Sequence, residues 1–523
     1  MANKILGTIL LTGLSVSLFA QSSQEVYTLD FNPKNYEAQK LEYNGEKIDV
    51  RAYEKMVYVA NPVDTAYEVM NIYIPEAYFN GKSINGYTGE TAPIFFPNQV
   101  GGYMPGKPAS TKNNGFGGMM PPMGANNGAP PQEMRGDGRP PMGNGGPMGD
   151  FGKRENTVLA ALAKGYVVAS AGARGRTNKD NKGVFYGKAP AAIVDLKAAV
   201  RYLKYNDKVM PGDANKIISN GTSAGGAMSA LLGATGDNPD YLPYLKELGA
   251  ANTSDAIFAT SAYCPITNLE HADAAYEWQF CGINSYQKRG PMSSQGNAAE
   301  LQLSEAQIKI SKELKELFPA YLNSLHLKAS NGEVYTLDAD GNGNFKTLVK
   351  SYVIASAQKA LKEGADLSML VWIKIENEKV TDLDWDAYVR YLQRQKTPPA
   401  FDALDLNSPE TSLFGTSTID NQHFTAYALK NSNGKATMAD GKIVKMMNPM
   451  NYIGTPNTQT ARHWRIRHGS KDKDTSLAIS VILATYLQNN GNDVNLELPW
   501  DRPHSGDYDL DELFKWVDGI SKK

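Results

Sequence analysis

The chain has 523 residues, more than one compact core ordinarily supports, so two domains or a core with a large insertion are expected. Apolar residues make up 41% and charged residues 21%, the balance of a globular fold. A formal net charge of -2 leaves no basic excess, which argues against nucleic acid or an anionic membrane surface as partner.

The chain begins as an export signal would. Lys4 precedes an uncharged apolar run over residues 5–19, and Ala20 suits the end of a signal peptide spanning residues 1–20. The alternative is a retained amphipathic N-terminus. The run is short for a membrane span, and no later stretch is apolar enough. A secreted or periplasmic protein, without stable membrane insertion after processing, is expected.

Further along, strand-like and helix-like segments alternate, which predicts an α/β sheet. Residues 92–96 and 166–171 are short apolar runs of strand type. Residues 191–203 have helical spacing, with Ile193, Leu196, Val200 and Leu203 on one face and Pro190 just before them. Strands are expected at 216–219, 256–263, 464–467 and 494–498. Leu510, Leu513, Phe514 and Val517 mark a closing helix.

Two regions break this rhythm. Residues 101–152 are dense in Gly, Pro, Met and Asn, and are expected to form a flexible loop, either a mobile cover or a tolerated surface insertion. Residues 267–447 read as a mainly helical lid inserted between two core strands. The core is then split into residues 25–266 and 448–523. Cys264 and Cys281 could pair after export, but the sequence leaves this open. No close Cys/His cluster suggests a metal, and none is expected.

Gly221-Thr-Ser-Ala-Gly225 has the form Gly-x-Ser-x-Gly and lies between a strand and an Ala-rich helix at 228–232. A sharp turn in that place needs small flanking residues and lifts the serine toward a helix N-terminus. Ser223 is therefore the candidate nucleophile. Such enzymes run Ser, acid, His in chain order. Among six histidines, His504 alone falls after the last expected strand and before the closing helix. His468, earlier, reads as structural. Asp472, in His468-Gly-Ser-Lys-Asp472, follows the preceding strand and is the candidate acid. Asp474 competes with it, or could cap a helix beginning near Thr475. An oxyanion hole would use the N–H of Ala224 and one from the loop after the third strand. That loop is assigned to Asn98-Gln-Val-Gly-Gly-Tyr-Met104, where Gly102, then Gly101, lets backbone approach closely.

The segment at Val100-Gly-Gly-Tyr-Met, the Gly-Thr-Ser-Ala-Gly-Gly elbow and the tail with Asp472 and His504 resemble the bacterial tannases of subtype B, tannin acyl hydrolases of the α/β-hydrolase fold and relatives of feruloyl esterases. The resemblance covers nearly the whole chain after the signal peptide; the Gly/Pro/Met-rich loop departs from it. It implies a triad of Ser223, Asp472 and His504 that cleaves galloyl esters and releases gallic acid without a cofactor. It also implies that Lys396, Glu410 and Asp474 hold the ring hydroxyls, with Ile266 and Pro409 flanking the ring. Without it, nothing distinguishes Lys396 or Glu410 from solvated surface residues. Such a site suits a flat ring whose edge carries adjacent hydroxyl donors. A feruloyl or other phenolic-ester esterase is the alternative, and a non-catalytic binding protein on the same fold a more distant one. The partner implied in the first two cases is a small phenolic ester. A peptidase with a propeller lacks the repeats it would need.

Overall fold

A computed structural model describes residues 27–112, 155–287 and 300–522. The expected signal peptide and residues 113–152 of the Gly/Pro/Met-rich segment lie outside the described residues.

The central sheet is built from β1 (Glu37–Tyr43), β2 (Glu46–Val57), β3 (Val69–Pro75), β4 (Pro93–Pro97), β5 (Val167–Ala171), β6 (Asp213–Thr222), β7 (Ala259–Tyr263), β8 (His463–Arg467) and β9 (Asp493–Glu497). Their spatial order is β1-β2-β3-β5-β4-β6-β7-β8-β9. The β1-β2, β2-β3 and β3-β5 pairs are antiparallel; every pairing from β5 to β9 is parallel. Parallel strands need crossovers, and helices supply them on both faces. The principal helices are α1 (Thr157–Ala163), α2 (Ala191–Tyr205), α3 (Ala224–Ala234), α4 (Leu269–Phe280), α5 (Glu305–Ser324), α6 (Asn344–Lys362), α7 (Trp385–Leu392), α8 (Pro409–Leu413), α9 (Leu477–Asn489) and α10 (Leu510–Ser521). Helices on both faces explain why β4, β5 and β7 are short continuous runs without alternation: every residue in them is buried.

The expected core strands and helices fall where the sequence placed them, with ends shifted by a few residues. The largest shifts are in β6, which extends to both sides of 216–219, and in α3, which begins at Ala224 rather than at 228. Strands β1 to β3 were not expected. In β2 the signal is a period of two, since Ile48, Val50 and Ala52 are buried while Asp49 is exposed. The start of the Gly-rich segment differs too. Residues 101–112 pack on the core: Tyr103 is 2% exposed, and Ala109 and Thr111 are buried. These anchors overcome the low apolar content of the segment as a whole.

Strands β7 and β8 are direct neighbours in the sheet. The chain between them carries α4 to α8 and two small antiparallel ribbons. It is tied together by buried charge. Arg394 and Glu277 form an ion pair with both side chains fully buried. Leaving either partner alone there would be costly. Among the described residues, no helix is long and apolar enough to cross a membrane.

Candidate active site

Ser223 sits where β6 turns into α3, with φ 62° and ψ −122°. A non-glycine residue held there costs roughly 1–3 kcal/mol, so the surroundings must enforce it. The Ser223 N–H donates to Tyr263 O at 3.0 Å, and Ile266 N–H donates back to Ser223 O at 3.3 Å. A Cβ at Gly221 would lie 2.3 Å from Gly225 O, and one at Gly225 would lie 2.7 Å from both Asn98 Oδ1 and Val100 O. Both flanking glycines are thus required by crowding.

His504 lies in the loop between β9 and α10. Its Nδ1 is 2.8 Å from Asp472 Oδ2, and Asp472 is fully buried after β8. Burial opposes a charge on the imidazole, but the Asp472 carboxylate, with help from Cys264 and Asp474, outweighs it and raises the His504 pKa well above the ordinary value. Burial likewise opposes the Asp472 charge, and His504 and His468 overcome it, so its pKa is lowered. His468 stands behind this acid. It is fully buried, its Nδ1 is 2.9 Å from Ser480 Oγ, and its Nε2 is 3.8 Å from Asp472 Oδ2.

Among the described residues, no hydrogen bond joins Ser223 Oγ to His504. Nε2 is instead 3.9 Å from the sulfur of Cys264. Base and nucleophile commonly tighten only when substrate is present. Both cysteines are free thiols. Cys264, Asp472 and His504 group closely enough to suggest a metal cluster. The Asp472 carboxylate is already engaged by His504 Nδ1 at 2.8 Å, the pairing a general base needs.

The loop assigned to the oxyanion hole follows β4 rather than the third strand, because β1 to β3 precede it. Its anchor is Asn98, which the sequence offered only as the start of the loop. Asn98 Nδ2 donates to Gly225 O at 3.0 Å and Ser229 Oγ at 3.0 Å, and its Oδ1 accepts Val100 N–H at 3.3 Å. One buried amide thus joins this loop to the serine's helix. Gly102 has φ 54° and no atom within 4 Å of where a Cβ would be, so its face is open. Ala224 begins α3, where the first N–H groups lack intrahelical acceptors.

Of the residues implied for ring binding, Lys396, Asp474 and Glu410 lie close to one another, with Asp474 beside His504. Lys396 Nζ is 3.1 Å from Asp474 Oδ2 and 4.0 Å from the centre of the Phe401 ring. The same Asp474 oxygen is 3.9 Å from His504 Nε2. Asp474 does not cap α9; Ser476 does, accepting from Ala478 N–H. Glu410, in α8, is buried, and burial lifts its pKa to about 7, with Asp474 adding to the rise and Lys396 and Arg176 opposing it. Ile266 is buried after β7, and Pro409, next to Glu410, has an exposed ring.

Three supports of this wall were not legible as such in the sequence. The Tyr276 phenol oxygen accepts Gln395 N–H and Lys396 N–H, each at 3.1 Å, and donates to Lys473 O at 3.0 Å. It fixes Lys396 relative to Asp474. Gln395 Nε2 also donates to Asp474 Oδ1 at 2.9 Å. Lys188 Nζ donates to Ser412 O at 2.9 Å, tying α8 to the core. Tyr276 shares α4 with other buried polar residues, Asp273, Glu277 and Gln279, so nothing in the sequence singled it out.

A parallel sheet with a strained serine at a strand-to-helix turn, and a carboxylate-held histidine after the last strand, defines an α/β-hydrolase. The BD-FAE family model matches residues 145–286. The esterase LipC of Mycobacterium tuberculosis is 40% identical over 68 residues, 13% of this chain and 17% of that protein. Similarity to solved structures is far more extensive. The Fusobacterium nucleatum tannase is 50% identical, with TM-score 0.84, covering 95% of this chain and 100% of that one. The tannin acyl hydrolase of Lactobacillus plantarum is 44% identical, with TM-score 0.83, covering 94% and 99%. A tannin acyl hydrolase in complex with ethyl gallate is 44% identical, with TM-score 0.82, again covering 94% and 99%. The chain belongs to the bacterial tannases, and it is a carboxylic ester hydrolase.

Proposed function

We propose that this tannase hydrolyses galloyl esters of tannins and simple gallates through an acyl-enzyme on Ser223. The observation that carries the reading is the continuous line of charge from Lys396 through Asp474 to His504 and Asp472, with spacings of 3.1, 3.9 and 2.8 Å. It sets partners for ring hydroxyls directly beside the base.

In the proposed mechanism, His504 Nε2 takes the Ser223 proton while Oγ bonds to the galloyl carbonyl carbon. The N–H groups of Ala224 and Gly102 receive the oxyanion. His504 returns the proton to the departing alkoxide as the C–O bond breaks. Water then adds to the acyl carbon with His504 again as base, and gallic acid leaves as Ser223 regains its proton. Asp472 holds the tautomer and stabilises the imidazolium. Lys396 donates to a phenolic oxygen, and Asp474 and Glu410 accept from ring hydroxyls, while Ile266 and Pro409 border its faces. The inserted lid, residues 267–447, carries Lys396 and Glu410 to the site. Export through the N-terminal signal would bring the enzyme to plant polyphenols outside the cell.

Purified protein is tested for release of gallic acid from methyl gallate, with Ser223→Ala alongside. Release by the wild type alone supports the reaction and the nucleophile. Faster turnover of methyl ferulate than of methyl gallate would replace the galloyl assignment with a feruloyl one.

A further inference from the structure

The loop after β4 contains two consecutive residues in the left-handed region, Gly102 at φ 54° and Tyr103 at φ 56°. Met104 N–H closes the turn on Gly101 O at 2.9 Å. For tyrosine this backbone is unfavourable, and it persists only if its surroundings impose it. They do so from the segment after β5. Gly175 is packed so closely that a Cβ there would lie 2.2 Å from Pro105 N. Arg176 N–H then donates to Tyr103 O at 2.9 Å, and Arg176 Nε–H donates to Gly102 O at 2.9 Å. One residue takes two successive carbonyls of the turn.

A trans peptide points its N–H opposite its C=O. Fixing Gly102 O therefore fixes the direction of the Tyr103 N–H, just as the bond to Gly101 O fixes that of Gly102. Among the described residues, the N–H groups of Gly101, Gly102 and Tyr103 have no acceptor. They are open donors whose aim is set by what grips the carbonyls behind them. The Arg176 side chain is half-buried and has no other hydrogen bond among the described residues.

We propose that Arg176 is a positioning residue for the oxyanion hole: by gripping Gly102 O and Tyr103 O it sets the Tyr103 N–H directly and holds the turn on which the Gly102 N–H faces the scissile carbonyl oxygen. This rests on the reading that the turn supplies an oxyanion donor. It adds that the donor's direction depends on a side chain from another strand's loop.

The test uses full-length enzyme with two esters, methyl gallate and p-nitrophenyl acetate, which lacks ring hydroxyls. Arg176→Ala should lower kcat about 30–100-fold on both, since misaimed donors forfeit much of what an oxyanion hole contributes. KM for methyl gallate should change far less than kcat, because Arg176 makes no ring contact of its own and acts on Glu410 only through its charge. Arg176→Lys can still reach Gly102 O and should recover most of the lost kcat. Added methylguanidine should partly restore Arg176→Ala. A rise in KM confined to methyl gallate would overturn the proposal and make Arg176 a ring or alcohol contact. Unchanged kcat in Arg176→Ala on both esters would also overturn it, as would equal losses in the Ala and Lys variants with a lowered melting temperature. Failure of the parent reading looks different: wild type inert on both esters, or Ser223→Ala as active as wild type.

Discussion

The residues assigned to bond-breaking and those assigned to ring binding are held in contrasting ways. Ser223, Asp472 and His504 follow β6, β8 and β9, strands locked in a parallel ladder. Lys396 and Glu410 stand in the chain between β7 and β8, outside the central sheet, where side-chain bonds take the place of its ladder. Tyr276 OH positions Lys396, and Lys188 ties down the helix carrying Glu410. The first group is fixed by backbone, which any sequence of the right pattern reproduces. The second depends on particular side chains. Asp474 belongs to both, since it follows β8 yet pairs with Lys396 and lies near His504. If the division is real, losses in the first group should be large and independent of the ester's acyl group. Losses in the second should be smaller and specific to hydroxylated rings.

The largest effect is expected from Ser223→Ala, which should lower kcat by about 10⁵–10⁶-fold on every ester. Residual turnover near that of wild type would remove Ser223 from the mechanism. Next is Asp472→Asn, which keeps the shape but loses the tautomer control and the charge beside His504. A loss of about 10⁴-fold in kcat is expected. Its carboxylate raises the His504 pKa, so any residual activity should have its acid limb at lower pH than in the wild type. A limb that does not move would mean that another group controls the histidine.

The ring wall is tested by Lys396→Met and Glu410→Gln. Each should lower kcat/KM for methyl gallate by about 10²-fold and leave methyl benzoate within a few-fold, because a site built around hydroxyls is penalised when its partners are lost. Equal losses on both esters would dissolve the distinction between the two groups. Lys396→Met has a second consequence. Asp474 loses the ammonium at 3.1 Å and keeps His504 at 3.9 Å. The imidazolium is then better stabilised, so the acid limb should move to higher pH.

The same contrast decides what the sequence could reveal. The elbow was readable because crowding at Gly221 and Gly225 leaves a fixed pattern of small residues. His504 was readable from its place between the last strand and the closing helix. Spacing favoured Asp472 over Asp474 as the acid; the structure pairs the first with His504 Nδ1 and the second with Lys396. Lys396 and Glu410 came only from family resemblance, because neither periodicity nor spacing distinguishes a buried charged residue from an exposed one. Asn98 and Tyr276 were missed for a related reason. Each acts through contacts with residues distant in sequence, as Asn98 does with Gly225 and Ser229. Strands β1 and β2 were missed because a search for apolar runs overlooks an exposed edge strand and a neighbour that alternates; β3, buried at every residue, was such a run and was missed all the same.

Glu410 provides the smallest test, one of stability. Its carboxyl is buried and has a pKa of about 7, against an ordinary value of 4.5. Between those two values the folded protein binds a proton that the unfolded chain releases. The contribution of Glu410 is therefore most favourable below pH 4.5 and is lost as pH rises through about 7. Ionised Glu410 should cost the fold up to about 3 kcal/mol relative to the neutral form, from the size of that shift. Glu410→Gln stays neutral and nearly isosteric. Its melting temperature should match the wild type near pH 4.5 and exceed it progressively up to pH 8 in the absence of ligand. A constant difference across that range would show that Glu410 is ionised throughout. The group around Lys396 and Asp474 would then already carry the Glu410 charge before substrate arrives, and it would be as preformed as the ends of the core strands.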